Sequence, residues 1–164
     1  IAAQLAFSYS DRPSIILLTR QKLPVIDREQ YSHYDNFRRG GYIISDSDGS
    51  PEITIIATGS EVSVALEAKN QLSDHNIRIV NLGCWELFEE QSSDYHAMVF
   101  DKKSLKISIE AGITMGWQKY TGIDGLNIGI DRFGESAPGI DVADHLGMSL
   151  NKVVNQIKLY LNST

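Results

Sequence analysis

One arginine stands where a binding group is expected. Arg20 follows residues 14–19, a run with four consecutive large apolar residues that predicts a buried strand. In open α/β sheets ligands bind beyond the carboxyl ends of the strands, and a guanidinium can hold a phosphate through two parallel hydrogen bonds. The spacing therefore makes Arg20 a candidate phosphate-binding residue. The alternative is a surface arginine that caps carbonyl groups or pairs with Asp27 or Glu29.

A second possible anion site follows a shorter apolar run. Residues 53–56 predict a strand, which Thr58, Gly59 and Ser60 interrupt before a helix begins. Backbone N–H groups at a helix start can bind an anion, so Gly59, Ser60 and Glu61 are candidates. The simpler interpretation is a turn with a helix cap. A serine oxygen can accept a helix N–H, and a glutamate suits the positive end of the helix dipole.

Four other polar features have simpler explanations than catalysis. His33, between two tyrosines, is predicted to be a solvated loop residue. Cys84 has no obvious base nearby in the sequence, which favours a buried structural thiol. Glu89 and Glu90 are adjacent on a predicted helix, so their side chains should point apart. Residues 46–51 (DSDGSP) predict a turn, because a calcium loop would need a carboxylate at its end.

The spacing of apolar residues predicts an α/β fold. A strand, a tight turn and a helix are followed at once by a near-continuous apolar strand, which is typical of a parallel sheet covered on both faces. The predicted strands are 14–19, 42–45, 53–56, 77–80, 105–109 and 126–130. The predicted helices are 1–9, 60–72, 86–91, 94–99, 115–120, 140–146 and 150–161.

Two details of this arrangement are also predicted. Residues 42–45 and 53–56 are joined by a short turn and should form a hairpin, which would place one antiparallel strand at the edge of the sheet. Ser149 should cap the last helix, whose apolar residues form one stripe, and Ser92 or Ser93 should cap the helix near residue 94.

Composition and charge exclude several classes of partner. The chain has 164 residues, enough for one domain with a core, and a net charge of −6 with a pI of about 5.1. Nucleic acid is not expected as a partner, because phosphate binding needs clustered Lys and Arg. No apolar run is long enough to span a membrane. The single cysteine fits a reducing compartment, so we predict a cytoplasmic protein.

The first residue is Ile1 rather than methionine, and residues 1–9 look like the end of a helix. We therefore expect a fragment of a longer protein, although a processed or tag-cleaved start would look the same. No signal peptide is recognisable.

Five groups of residues occur in an order and at a spacing typical of one family. They are Thr19-Arg20-Gln21 with Leu23-Pro24, residues 57–68 (ATGSEVSVALEA), Phe88 with Gln91 and Tyr95, residues 108–112 (SIEAG) with Trp117, Lys119 and Tyr120, and residues 128–138 (IGIDRFGESAP). Together the chain resembles the carboxyl-terminal portion of transketolase over essentially its whole length.

The resemblance implies a fold and an activity. It implies the end of a pyrimidine-binding domain at residues 1–20, a linker at 21–39 and a C-terminal domain at 40–164, a three-layer α/β/α unit with a mixed, mostly parallel sheet of about five strands. Complete members would transfer a two-carbon ketol unit from a ketose phosphate to an aldose phosphate. They would use thiamine diphosphate with Mg²⁺ or Ca²⁺ and form homodimers.

The resemblance also implies one substrate-binding residue. The matching arginine of relatives holds the sugar phosphate, which gives that role to Arg20; the preceding residue is usually serine, and Thr19 keeps its hydroxyl. No catalytic, cofactor-binding or metal-binding residue is assigned, because the motifs of the two cofactor-binding domains are missing. We expect this chain alone to bind no cofactor, to be inactive, and to serve a structural, subunit-associating role. Four further residues would belong to subunit contacts or loop packing: Glu110, Trp117, Arg132 and Phe133.

Two alternatives stay open. One is another enzyme of the same cofactor class, a deoxyxylulose-phosphate synthase or the β-subunit of a ketoacid dehydrogenase, but the RFGESAP and TRQ-x-LP segments fit transketolase better. The other is a natural subunit of a split transketolase that acts as an association module. Such a subunit should carry a whole pyrimidine-binding domain, of which only a helix end and one strand are recognisable.

Overall fold

A five-stranded mixed sheet forms the centre of the structure, a computed structural model that describes residues 1–163. The strands are β1 (Gly41–Ser45), β2 (Ile53–Ala57), β3 (Ile77–Leu82), β4 (Leu105–Ile109) and β5 (Leu126–Ile128). The helices are α1 (Ala2–Ser8), α2 (Glu61–Gln71), α3 (Trp85–Glu89), α4 (Ser93–Val99), α5 (Gln118–Thr121), α6 (Gly139–His145) and α7 (Leu150–Leu161), with a 3₁₀ helix at Tyr34–Arg39. Within residues 1–163, no helix is long and apolar enough to cross a membrane.

Apolar side chains cover both faces of the sheet, whose strand order is β1-β3-β2-β4-β5. The last four strands in this order run parallel. Successive residues of β2 join different cores. Ile55 belongs to the core with buried residues of α2 and α7, and Ile56 belongs to the core with those of α3, α4 and α5. The predicted three-layer α/β/α fold with a mixed, mostly parallel sheet is confirmed.

The predicted hairpin between the first two strands is wrong, although one antiparallel strand does lie at the edge. β1 pairs with β3, with Gly41 opposite Leu82 and Ser45 opposite Ile79. β2 is buried along its whole length and lies between the parallel strands β3 and β4. Because both sides of β2 are occupied, β1 pairs at the free edge of β3.

Protein side chains hold the turn between β1 and β2. Nδ2 of Asn76 donates to the carbonyl oxygens of Asp48 and Ser50, at 3.0 and 2.9 Å, and Oδ1 of Asn76 accepts from the N–H of Asp48. The carboxylate of Asp46 pairs with Arg78. The backbone bends at residues 48–50, so the prediction of a turn is correct.

The predicted buried strand at residues 14–19 is wrong for this chain. The segment belongs to no strand of the sheet, and Ile15 and Leu17 are 85% and 90% exposed. A strand needs a neighbour for its backbone N–H and C=O groups. Neither edge of the sheet, β1 or β5, pairs with these residues. The helix end predicted at residues 1–9 is present as α1.

Helix starts agree only partly with the prediction. Ser92 caps α4, because its Oγ accepts the N–H of Tyr95 at 3.2 Å. Ser60 and Ser149 instead donate their hydroxyl hydrogens to carboxylates of nearby acidic residues. Each hydroxyl is thereby used locally and makes no capping bond to its helix. The helix predicted at 115–120 begins only at α5.

Candidate functional site

The carboxyl ends of the parallel strands form the edge where such sheets present binding groups. From β2 the chain passes through α2 to β3 on one side, whereas β4 and β5 lie on the other side of β2. The crevice beyond β2 and β4 is therefore the switch point of the sheet, where ligands bind in this class of fold. Two carboxyl groups come from this edge, since Glu61 begins α2 and Glu110 follows directly on β4.

Glu110 lies half-buried at this edge. Its Oε2 is buried and has no hydrogen-bond partner in the part of the chain that the structure describes. Burial, and secondarily the negative charge of Glu61, raises the pKa of Glu110 from 4.5 to about 7. Glu110 therefore keeps its proton to a higher pH than an ordinary glutamate does.

This retained proton predicts a pH-dependent effect of Glu110→Gln. The folded-state pKa lies above the unfolded one, so the contribution of Glu110 to stability is full below about pH 4.5 and is lost as pH rises through about 7. Glutamine cannot ionise. We expect Glu110→Gln to raise the free energy of unfolding more at pH 8 than at pH 5, by about 1–2 kcal/mol. This range is reduced for solvent screening, because the carboxyl is partly exposed.

Urea unfolding of both proteins at pH 5 and pH 8 measures this difference. Glu67→Gln is the matched control, because Glu67 is exposed on α2. An equal gain in the free energy of unfolding at the two pH values would contradict a raised pKa of Glu110.

The loops that follow β4 and β5 are joined by hydrogen bonds. The carboxylate of Asp131 accepts from the N–H of Thr114 at 2.8 Å and from its Oγ1 at 2.7 Å. These two bonds hold the pKa of Asp131 below its usual value. The N–H of Ile130 donates to the carbonyl of Gly112 at 2.7 Å. These hydrogen bonds therefore tie the two loops to each other at the carboxyl edge.

Arg20 lies in a bend after the extended residues 14–19 and is exposed. Asp27 accepts a hydrogen bond from the N–H of Glu29, and neither carboxylate pairs with Arg20 among the described residues. The ion pair weighed as an alternative is therefore not formed. The phosphate-binding role of Arg20 stays a prediction.

His33 is an exposed loop residue, as the sequence predicts, whereas Cys84, predicted to be a buried thiol, is only partly buried. Nδ1 of His33 accepts the N–H of Asp35 at 3.4 Å at the start of the 3₁₀ helix, and both side chains are exposed. Sγ of Cys84 donates to Oε2 of Glu86 at 3.4 Å, and burial raises the pKa of the thiol. A raised pKa disfavours the thiolate, which is the nucleophilic form.

Glu89 and Glu90 have different partners. Glu89 accepts from the hydroxyl of Tyr120 and pairs with Lys119, both at 2.9 Å. Glu90 pairs with Arg12 at 3.0 Å. The two carboxylates therefore make separate ion pairs, which agrees with the prediction that the side chains point apart.

Of the other residues matched to the family, Trp117 is buried, whereas Arg132 and Phe133 are exposed. Trp117 is buried and packs edge-on against Trp85, with ring centroids 5.0 Å apart. Arg132 pairs with Glu135 in its own loop. Phe133 is 95% exposed. Trp117 thus packs inside this chain, Arg132 makes an exposed ion pair, and Phe133 is exposed, so a role of these residues in subunit contacts stays a prediction.

Sequence reasoning did not predict the proton on Glu110 or the bonds between Thr114 and Asp131. A signal for the first existed, because a carboxylate that directly follows a buried strand is only partly solvated. No local signal predicts the second, since the two residues belong to loops of different strands.

Comparison with known proteins identifies similar chains. The family model for the transketolase-like TK C-terminal domain matches residues 40–149. Transketolase of Aquifex aeolicus is 43% identical over 159 residues, which are 95% of this chain and 23% of that protein. Transketolase of Bacillus subtilis is 39% identical over 165 residues, 98% of this chain and 25% of that protein. The chain therefore spans about a quarter of the length of these relatives.

Solved structures agree. A mutant transketolase of Pichia stipitis superposes with a TM-score of 0.89 and 28% identity, over 98% of this chain and 23% of that one.

Proposed function

Because the model of the transketolase-like C-terminal domain matches residues 40–149, this chain belongs to the transketolase family, and we propose that it is the carboxyl-terminal part of a transketolase. The observation that carries the proposal is 43% identity to a transketolase over 95% of the chain. We propose that residues 1–20 end the preceding pyrimidine-binding domain, that 21–39 form a linker, and that 40–164 form the C-terminal domain.

The complete protein would transfer a two-carbon ketol unit from a ketose phosphate to an aldose phosphate. Thiamine diphosphate, bound with a divalent metal ion, would supply the carbanion chemistry of that transfer. We propose that parts of the complete protein outside this chain hold the cofactor. Within residues 1–163, no three His, Cys, Asp or Glu side chains are grouped so as to hold a metal ion. We assign no catalytic step to this chain.

The proposed role of this chain in substrate binding is confined to Arg20. Its exposed guanidinium has no ion pair within residues 1–163 and is available to a phosphate. A guanidinium can bind two phosphate oxygens at once, which suits it to the end of the sugar that is remote from the reacting carbonyl.

We also propose that the complete protein is a cytoplasmic homodimer. Support for a contact with further protein comes from the apolar side chains exposed on the loops after β4 and β5, among them Ile113, Met115 and Phe133. The net charge of −6 disfavours nucleic acid as a partner.

Two measurements test the proposal. The complete protein should transfer ketol units between sugar phosphates only when thiamine diphosphate and Mg²⁺ are present, and an absence of transfer would contradict the assigned activity. This chain alone should neither bind thiamine diphosphate in calorimetry with Mg²⁺ nor transfer ketol groups. Micromolar binding by the 164-residue chain, with the complete protein as positive control, would show that a cofactor site had been overlooked.

A further inference from the structure

The side chain of Gln21 lies against the bare Cα of Gly139. A Cβ placed on Gly139 would be 2.9 Å from Nε2 of Gln21 and 3.4 Å from its Cδ. A Cβ does not approach another atom that closely, so a side chain at position 139 would displace the amide of Gln21. The contact joins two segments that the sequence analysis identified separately, because Gln21 directly follows Arg20 and Gly139 directly follows the RFGESAP segment.

Gly139 has a fixed place in the domain. It begins α6, whose first turn is closed by hydrogen bonds from the N–H groups of Asp141 and Val142 to the carbonyl of Pro138. Ala143 of the same helix packs against the larger core.

The loop before Gly139 is also fixed at both ends. Asp131 binds Thr114 through two hydrogen bonds, and Glu135 contacts Arg132 and, at 3.3 Å, His145 of α6. The folded domain therefore fixes the position of Gly139, and Gly139 contacts Gln21 in the bend that contains Arg20.

A second contact acts on the other side of Arg20. The N–H of Gln21 donates to Oγ1 of Thr19 at 3.3 Å, which closes a local turn around Arg20. Arg20 is thus flanked by a residue that closes its turn and by a residue whose side chain rests on the folded domain.

We propose that Gln21 is a positioning residue for phosphate recognition: its contact with Gly139, together with the turn closed by Thr19, directs Arg20 toward the sugar phosphate. This inference rests on the proposed function of Arg20. It adds that α6, which begins at Gly139, contributes to the affinity for phosphorylated substrates by holding Gly139 in place.

Steady-state kinetics of the complete enzyme test the inference with two donors, one ketose phosphate and one unphosphorylated ketol donor. Gln21→Ala should raise KM for the phosphorylated donor about three- to tenfold, part of the loss expected on removal of Arg20 itself, with kcat little changed. The unphosphorylated donor should be unaffected. Gly139→Val should have the same selective effect, because its side chain occupies the place of the Gln21 amide.

Gly134→Val is the matched control. Gly134 lies in the same loop, and a Cβ there would meet no atom within 4 Å. It should change neither KM. The double variant of Gln21→Ala with Gly139→Val should lose no more than one single variant, because both remove the same contact.

Several outcomes would contradict the positioning role of Gln21. Additive losses, or equal losses with both donors, would overturn the positioning role. If Arg20→Ala is selective for the phosphorylated donor while Gln21→Ala and Gly139→Val are silent, this inference fails and the proposed role of Arg20 stands. If Arg20→Ala is itself unselective, both fail. Gln21 is exposed, so its variant is expected to fold and the test does not depend on Gly139→Val alone.

Discussion

Arg20→Ala in the complete enzyme should lower kcat/KM for phosphorylated substrates by about one to two orders of magnitude. A charge-assisted hydrogen bond contributes about 1.5–3 kcal/mol, and about 1.4 kcal/mol corresponds to a factor of ten. If the phosphate contact is equal in the ground and transition states, the loss should fall mostly on KM.

The comparison of two donors separates binding from folding. An unphosphorylated donor such as hydroxypyruvate has no phosphate to lose, so its kinetics should change far less. Lys22→Ala is a useful control, because Lys22 is an exposed cation two residues away, and its removal tests whether the loss of any nearby positive charge has the same effect. Equal damage to both donors would mean that Arg20 supports the fold or the dimer and does not bind the phosphate.

Arg78→Met should lower the free energy of unfolding by about 2–3 kcal/mol. The side chain of Arg78 is only 12% exposed. Its Nε and Nη2 donate to the carboxylate of Asp46 at 2.7 and 3.2 Å, and its Nη1 donates to the carbonyl oxygens of Met98 and Val99 at the end of α4. Methionine keeps most of the apolar stem but leaves these acceptors without their donor.

Denaturant unfolding of the chain measures the loss, and Arg12→Met provides the comparison. Arg12 also bridges two acidic residues, Asp11 and Glu90, but its side chain is 49% exposed. Exposed ion pairs contribute little to stability because water screens them, so Arg12→Met should have a much smaller effect than Arg78→Met. Similar losses for the two variants would show that the burial of Arg78 does not determine its contribution.

Local patterns predicted the central strand β2 and the last helix α7 correctly. β2 is apolar and β-branched along most of its length, and such a strand is stable only when both faces are covered. The stripe on α7 places Val153, Val154 and Ile157 in the core. Both features depend on residues close together in the sequence, where periodicity is informative.

Strand pairing depended on information that no local pattern contains. β1 was expected to join the next strand along the chain, whereas the neighbours of β2 come from β3 and β4. Residues 14–19 have the composition of a buried strand, but a strand forms only beside a partner. The same limit applies to the candidate site. Arg20 was predicted from its place directly after an apolar run. The contact between Gln21 and Gly139 joins distant parts of the sequence, so no local pattern predicts it.

The exposed apolar run at residues 15–18 has a consequence for the behaviour of the isolated chain in solution. Uncharged, β-branched and leucine-rich segments with free backbone groups are templates for intermolecular strand pairing and aggregation. Arg12 and Pro13 precede this apolar run and Arg20 follows it. Charged residues and proline beside an apolar segment oppose its aggregation. We therefore expect Arg20 to limit self-association of this exposed segment, in addition to any contact that it makes with a substrate.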